Sequence, residues 1–95
     1  MLLSKHHPVP RILLVEDSED TRELSRITLE SQACEVAAVS TAEAALGLLR
    51  AGERYDLVFT DVCLGGVSGL EAGHLIQEYQ PGLPVLVSAV CGYAH

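Results

Sequence analysis

Four short apolar runs, at residues 12–15, 35–39, 56–60 and 84–88, are separated by stretches in which apolar residues recur at helical spacing. That alternation limits what the chain can become. Short strands joined through helices predict a parallel sheet with helices on its faces, in the order β-α-β-α-β-α-β. The first run, Ile12-Leu13-Leu14-Val15, is continuously apolar, as a strand covered on both faces is. The second, Glu35 to Val39, carries alanines in its middle and is the weakest strand signal. Helix-start chemistry follows each of the first three runs. Ser18 with Glu19 and Asp20 suits a helix N-terminus. Leu24, Ile27, Thr28 and Ser31 then share one helical face. Ser40 and Glu43 form a capping box, Ala42, Ala45, Leu46 and Leu49 line the next face, and Gly52 suits its stop. Ser68 and Glu71 form another box, opening a helix with Leu70 and Ile76 in its core face that ends near Tyr79, before Pro81-Gly82.

The 95 residues suffice for one domain, and a hydrophobic fraction of 48% argues against disorder. The net charge is −7, and Lys5, Arg11, Arg22, Arg26, Arg50 and Arg54 form no run. No basic footprint for nucleic acid results; the acidic balance favours a cation or a basic protein patch. Cys34, Cys63 and Cys91 are an odd set without CxxC spacing, which reads as reduced thiols in a cytoplasmic protein rather than a disulfide framework or a zinc site. No apolar run approaches the roughly 20 residues that span a membrane. Residues 1–10 lack the apolar core of a signal peptide and read as an N-terminal tail. His6, His7, His74 and His95 carry no metal or phosphotransfer pattern.

Ligands of an open parallel sheet bind beyond the carboxyl ends of its strands. Glu16 and Asp17 follow the first strand, and Asp61 follows the third. Strands that neighbour each other lie about 4.8 Å apart, so these acids would converge on one cleft. Clustered carboxylates repel one another and hold protons more tightly. A hard divalent cation relieves the repulsion. Magnesium takes one or two carboxylates, waters and phosphate oxygens, an arrangement suited to phosphoryl chemistry with a carboxylate nucleophile.

The stretches LLVED at 13–17, TDVCLGGVSGLE at 60–71 and PVLVSA at 84–89 resemble, in order and spacing, three motifs of response-regulator receiver domains, the aspartate-phosphorylated switches of two-component signalling. The resemblance runs from about Arg11 to Ala89. It implies a flavodoxin-like α/β parallel sheet with strand order 2-1-3-4, formed by residues 11–95. It further implies that Asp61 is the phosphoacceptor and Asp17 a direct Mg2+ ligand. Glu16 would hold a metal-bound water, and the backbone carbonyl of Cys63 would be a further ligand. Ser88 is the switch hydroxyl on this reading, and Ala89 the small residue beside it. The partner implied is a histidine kinase or a phosphotransfer protein, and the domain is a signalling module rather than an enzyme.

The chain departs from the family pattern in two places. Leu64 and Gly65 stand where methionine and proline are usual. The last helix-strand-helix of the receiver fold is missing, and with it the lysine that contacts the phosphoryl group, so the domain reads as truncated. No lysine follows Lys5, and Arg50 and Arg54 fall at the opposite end of the sheet, so no cation is expected to stand in. The fourth strand becomes an open edge, through which the chain could self-associate. A second reading follows: a non-phosphorylated interaction module with a vestigial acidic cleft. An aspartate-nucleophile hydrolase is disfavoured, because Cys63 occupies the second position of the Asp-x-Asp spacing such enzymes use.

Overall fold

A computed structural model describes residues 9–61 and 67–88, the side chains of Asp61, Val67 and Ser68 excepted. Four strands and three helices alternate: β1 (Arg11–Val15), α1 (Glu19–Glu30), β2 (Glu35–Val39), α2 (Ala42–Arg50), β3 (Leu57–Asp61), α3 (Val67–Tyr79) and β4 (Val85–Ser88). All strand pairings are parallel, in the order β2-β1-β3-β4. This is the flavodoxin-like order expected from the sequence, without a further helix-strand-helix among the described residues. No described helix is long and apolar enough to cross a membrane.

The core lies on one face of the sheet. Leu13 and Val15 of β1 and Val58 of β3 point into it, against Ala45, Leu46 and Leu49 of α2 and Ala72 and Ile76 of α3. Tyr55 and Leu83 close its edges. Strand alternation sends Ile12 and Leu14 to the opposite face, where both are also buried. A continuous apolar run in β1 is thus required by burial on two faces.

Helix α1 forms where the sequence places it, but the face its apolar residues share is only partly covered. Ser18 caps it as expected, accepting a hydrogen bond from Thr21 N–H at 3.4 Å. Yet Leu24 is 66% exposed and Ile27 51% exposed, and α1 buries no residue fully. The helix packs over β2 and β1 and leaves β3 largely uncovered on that side. Its apolar residues therefore border a groove, formed by Leu24, Ser25, Thr28, Leu29 and the half-buried Phe59, instead of filling a core. Arg26 ties the helix to itself through Glu23 and through Glu30 at 2.9 Å. The hydrogen bond from Arg26 also holds the Glu23 carboxyl below the usual carboxylate range. Pairs of this spacing add only a few tenths of a kcal/mol each.

Two helix starts shift, that of α2 by one residue and that of α3 by two. Thr41, not Ser40, caps α2: its backbone is extended (φ −138°, ψ 159°) and its hydroxyl accepts from Ala44 N–H at 3.0 Å. Helix α3 begins at Val67, so Ser68 lies inside the helix and not at its cap. Gly52 does end α2, at φ +94°, donating its N–H to the Leu49 carbonyl at 3.1 Å. Leu70 is 49% exposed while Ile76 is fully buried, so only the second of that expected core pair is core. The α3 positions buried beside Ile76 include the small Ala72 and Gly73. Among the described residues β4 pairs only with β3, and Leu86 and Val87 stand 50% and 38% exposed, as in an edge strand.

Candidate functional site

Backbone pairing carries β1 to its end and slightly past it. Val15 sits opposite Thr60, and the next residues on the two strands are Glu16 and Asp61. Glu16 N–H still donates to the Val39 carbonyl of β2 at 3.0 Å, so its backbone is fixed by the sheet. On the other side of β3, Asp61 is in register with Ser88 of β4. Glu16, Asp61 and Ser88 thus stand in a row across β1, β3 and β4 at their carboxyl ends. Asp17 follows immediately, between the last ladder bond and the Ser18 cap. The strand ends that carry these residues therefore lie side by side.

Their environments differ. Glu16 is buried, 4% exposed, and its Oε2 accepts from Ser18 N–H at 2.9 Å. Asp17 is exposed and borders a cleft of about 260 Å³ that it shares with Ser40, Thr41, Gly69, Glu71 and Leu75. Ser88 is half-buried. The side chain of Asp61, the Cys63 carbonyl, Leu64, Gly65 and Ala89 lie outside the described residues. Arg50 and Arg54 stand at the far end of the sheet, as the sequence implies. The Arg54 carbonyl accepts from Arg11 Nη1 at 2.8 Å, where the Arg11 guanidinium lies 4.9 Å from the Tyr55 ring centre.

Arg22 is a residue near the acids that the sequence reading left out. It lies in the second turn of α1, and its Nη1 donates to the Glu16 carbonyl at 2.9 Å. The signal was available: a residue one turn into a helix can reach back over the cap to the strand end before it. Thr60 is the other residue the sequence reading left out. It is fully buried, and its Oγ1 donates to the Gly69 carbonyl of α3 at 2.9 Å. A polar residue closing an otherwise apolar strand was its signal.

Chemically, the row is a set of hard oxygen donors on rigid backbone. A buried carboxylate such as Glu16 is costly without positive charge nearby, and Asp17 adds a second acid at solvent's edge. The described side chains alone do not bring three metal-binding groups together. The donor set nevertheless fits magnesium, which needs only one or two carboxylates and keeps much of its water.

Over residues 12–92 the chain matches the response regulator receiver domain family. It belongs to that family. Response regulator protein FleR of Pseudomonas aeruginosa is 42% identical to this receiver over 82 residues, 86% of this chain and 17% of FleR. Transcriptional regulatory protein AfsQ1 of Streptomyces coelicolor is 34% identical over 79 residues, 83% of this chain and 34% of AfsQ1. The receiver therefore spans well under two thirds of these relatives. Among solved structures, response regulator TrrA of Thermotoga maritima, in complex with Mg2+-BeF, superposes with a TM-score of 0.70 at 30% identity. That match covers 92% of this chain and 73% of TrrA. A receiver protein from Pseudomonas putida gives a TM-score of 0.73 at 27% identity, covering 94% of this chain and 73% of its own.

Proposed function

We propose that this receiver accepts a phosphoryl group on Asp61 from a histidine kinase or phosphotransfer protein of a cytoplasmic two-component relay. Asp17, Asp61 and the Cys63 carbonyl would hold Mg2+, with Glu16 supporting a water on it. Ser88 turns its hydroxyl toward the phosphoryl group. The observation that carries the reading is the register: Asp61 is level with Ser88 on one neighbouring strand and with Glu16 on the other. When bound, the ion would offset negative charge on the transferring group. An Asp61 oxygen bonds to phosphorus in line as the phosphorus–nitrogen bond of the donor histidine breaks. The electron pair leaves with the imidazole, which takes up a proton. Arg22, held at the Glu16 carbonyl, is the nearby cation that tempers repulsion among the acids.

The test is an intact-mass measurement after incubation with a small acyl phosphate. A phosphoryl adduct should form with magnesium and be absent after chelation. No adduct at any donor concentration would refute the reading.

A second reading has its own observation. Leu86 and Val87 on the edge strand β4 are partly uncovered. On that reading the chain is an interaction module that associates through β4, with a second copy or another protein. It predicts a sedimentation coefficient that rises with concentration and adduct formation that is absent; a concentration-independent monomer would remove its self-association form.

A further inference from the structure

Thr60 is the residue immediately before Asp61, and a polar side chain with no exposure is unusual in a strand of this kind. Its two branches do different things. The hydroxyl donates to the carbonyl of Gly69, in the first turn of α3. The methyl group faces Gly73, one turn further along the same helix: a Cβ placed at Gly73 would lie 3.6 Å from Thr60 Cγ2 and 3.3 Å from Val85 Cγ1. Gly73 therefore lets the backbone of α3 come close to β3 and β4, and Thr60 occupies the contact so created. Gly69 and Gly73 are four residues apart and lie on one helical face. A single side chain thus fixes both the rotation and the axial position of α3 against the strand that presents Asp61.

We infer that Thr60 is a positioning residue for phosphoryl uptake: its hydroxyl locks the first turn of α3 to β3 and so sets both ends of the segment that follows Asp61. This rests on the proposed role of Asp61. The hydrogen bond spans nine residues of chain, 60 to 69, and closes them into a ring whose two anchors are a paired strand and a helix. Valine would fill the same volume and pack the same methyl, but it would leave the Gly69 carbonyl without that donor. A buried threonine serving only the core would show itself in stability and not in rate among folded molecules.

The experiment compares wild type, Thr60→Val, Thr60→Ser and Gly73→Ala for the rate of adduct formation, at saturating magnesium and small acyl phosphate, well below each midpoint of unfolding. Thr60→Val should be about tenfold slower, less than the ~100-fold that a misplacement of 1 Å can cause. Thr60→Ser, which keeps the hydroxyl, should stay near the wild-type rate. Gly73→Ala should slow uptake as well, because its new Cβ crowds Val85 of β4 at 3.3 Å and so disturbs the seat of α3 beside Thr60. A wild-type rate in folded Thr60→Val overturns the inference, as does a Thr60→Ser protein as slow as Thr60→Val. Should Thr60→Val not fold, Gly73→Ala decides alone: slower uptake supports the inference and a wild-type rate overturns it. Absence of an adduct in the wild type refutes the phosphoacceptor reading itself and this inference with it.

Discussion

Asp61→Asn protein takes up no phosphoryl group from a small acyl phosphate, whatever the magnesium concentration, while keeping the wild-type midpoint of unfolding to within a few degrees. Asparagine has nearly the same shape, so the pairing of Asp61 with Ser88 across β3 and β4 is retained. What changes is the nucleophile. A carboxylate offers an anionic oxygen to phosphorus, whereas an amide is neutral and its nitrogen lone pair is delocalised. No other residue of the row should substitute: Glu16 is buried with Oε2 engaged by Ser18 N–H, and Ser88 offers a neutral hydroxyl rather than an anionic oxygen. Asp17→Asn should act differently. It leaves the nucleophile in place but removes a direct metal ligand, so uptake survives at high magnesium with a weaker apparent affinity. Loss of even an outer partner of a metal site lowers affinity about 10–100-fold, and a direct ligand is expected to matter no less. Intact mass across a magnesium series separates the two variants. An Asp61→Asn adduct as abundant as that of wild type would move the phosphoacceptor elsewhere.

Ile76→Ala is expected to produce the largest loss of stability. Ile76 is fully buried in α3, at the contact of that helix with the core face of the sheet. Removing such a side chain leaves a cavity and costs about 2–5 kcal/mol. A domain of this size holds only about 5–15 kcal/mol in total. The midpoint falls by roughly 4–8 °C for each kcal/mol lost, so Ile76→Ala should melt at least about 10 °C lower. Leu24→Ala is the control: the side chain is equally large, but it is 66% exposed. Alanine and leucine both favour helices, so the change should stay within about 0.5 kcal/mol. Thermal unfolding followed by circular dichroism measures both. Equal losses would mean that α1, not α3, carries a packed face.

These contrasts mark where the sequence is legible. Strands β1 and β3 declare themselves because burial on two faces demands continuous apolar runs. The acids at their carboxyl ends then follow from topology, since a parallel sheet gathers those ends on one side. How far the α1 face is covered was not legible, for a physical reason. Leu24, Ile27, Thr28 and Ser31 keep helical period, but period says which residues share a face and not whether anything covers it. The same limit separated Leu70 from Ile76. The α2 cap slipped from Ser40 to Thr41 because adjacent hydroxyls are equally able to cap and backbone φ and ψ choose between them, whereas α3 starts at Val67, ahead of the expected Ser68 cap. Arg22 and Thr60 were missed because each acts across elements: one reaches from α1 to the end of β1, the other from β3 into α3. Neither contact has a spacing that a linear reading singles out.

The central claim is that the ends of β1 and β3 form one magnesium site. Its most direct test is a magnesium titration followed by amide resonances of the 95-residue chain. The amides of Glu16 and Asp17 should shift together with those of Thr60 and Asp61, with one shared dissociation constant. Asp17→Asn and Asp61→Asn should each weaken the response at both strand ends. Separate constants for the two ends, or shifts confined to one of them, would contradict the account.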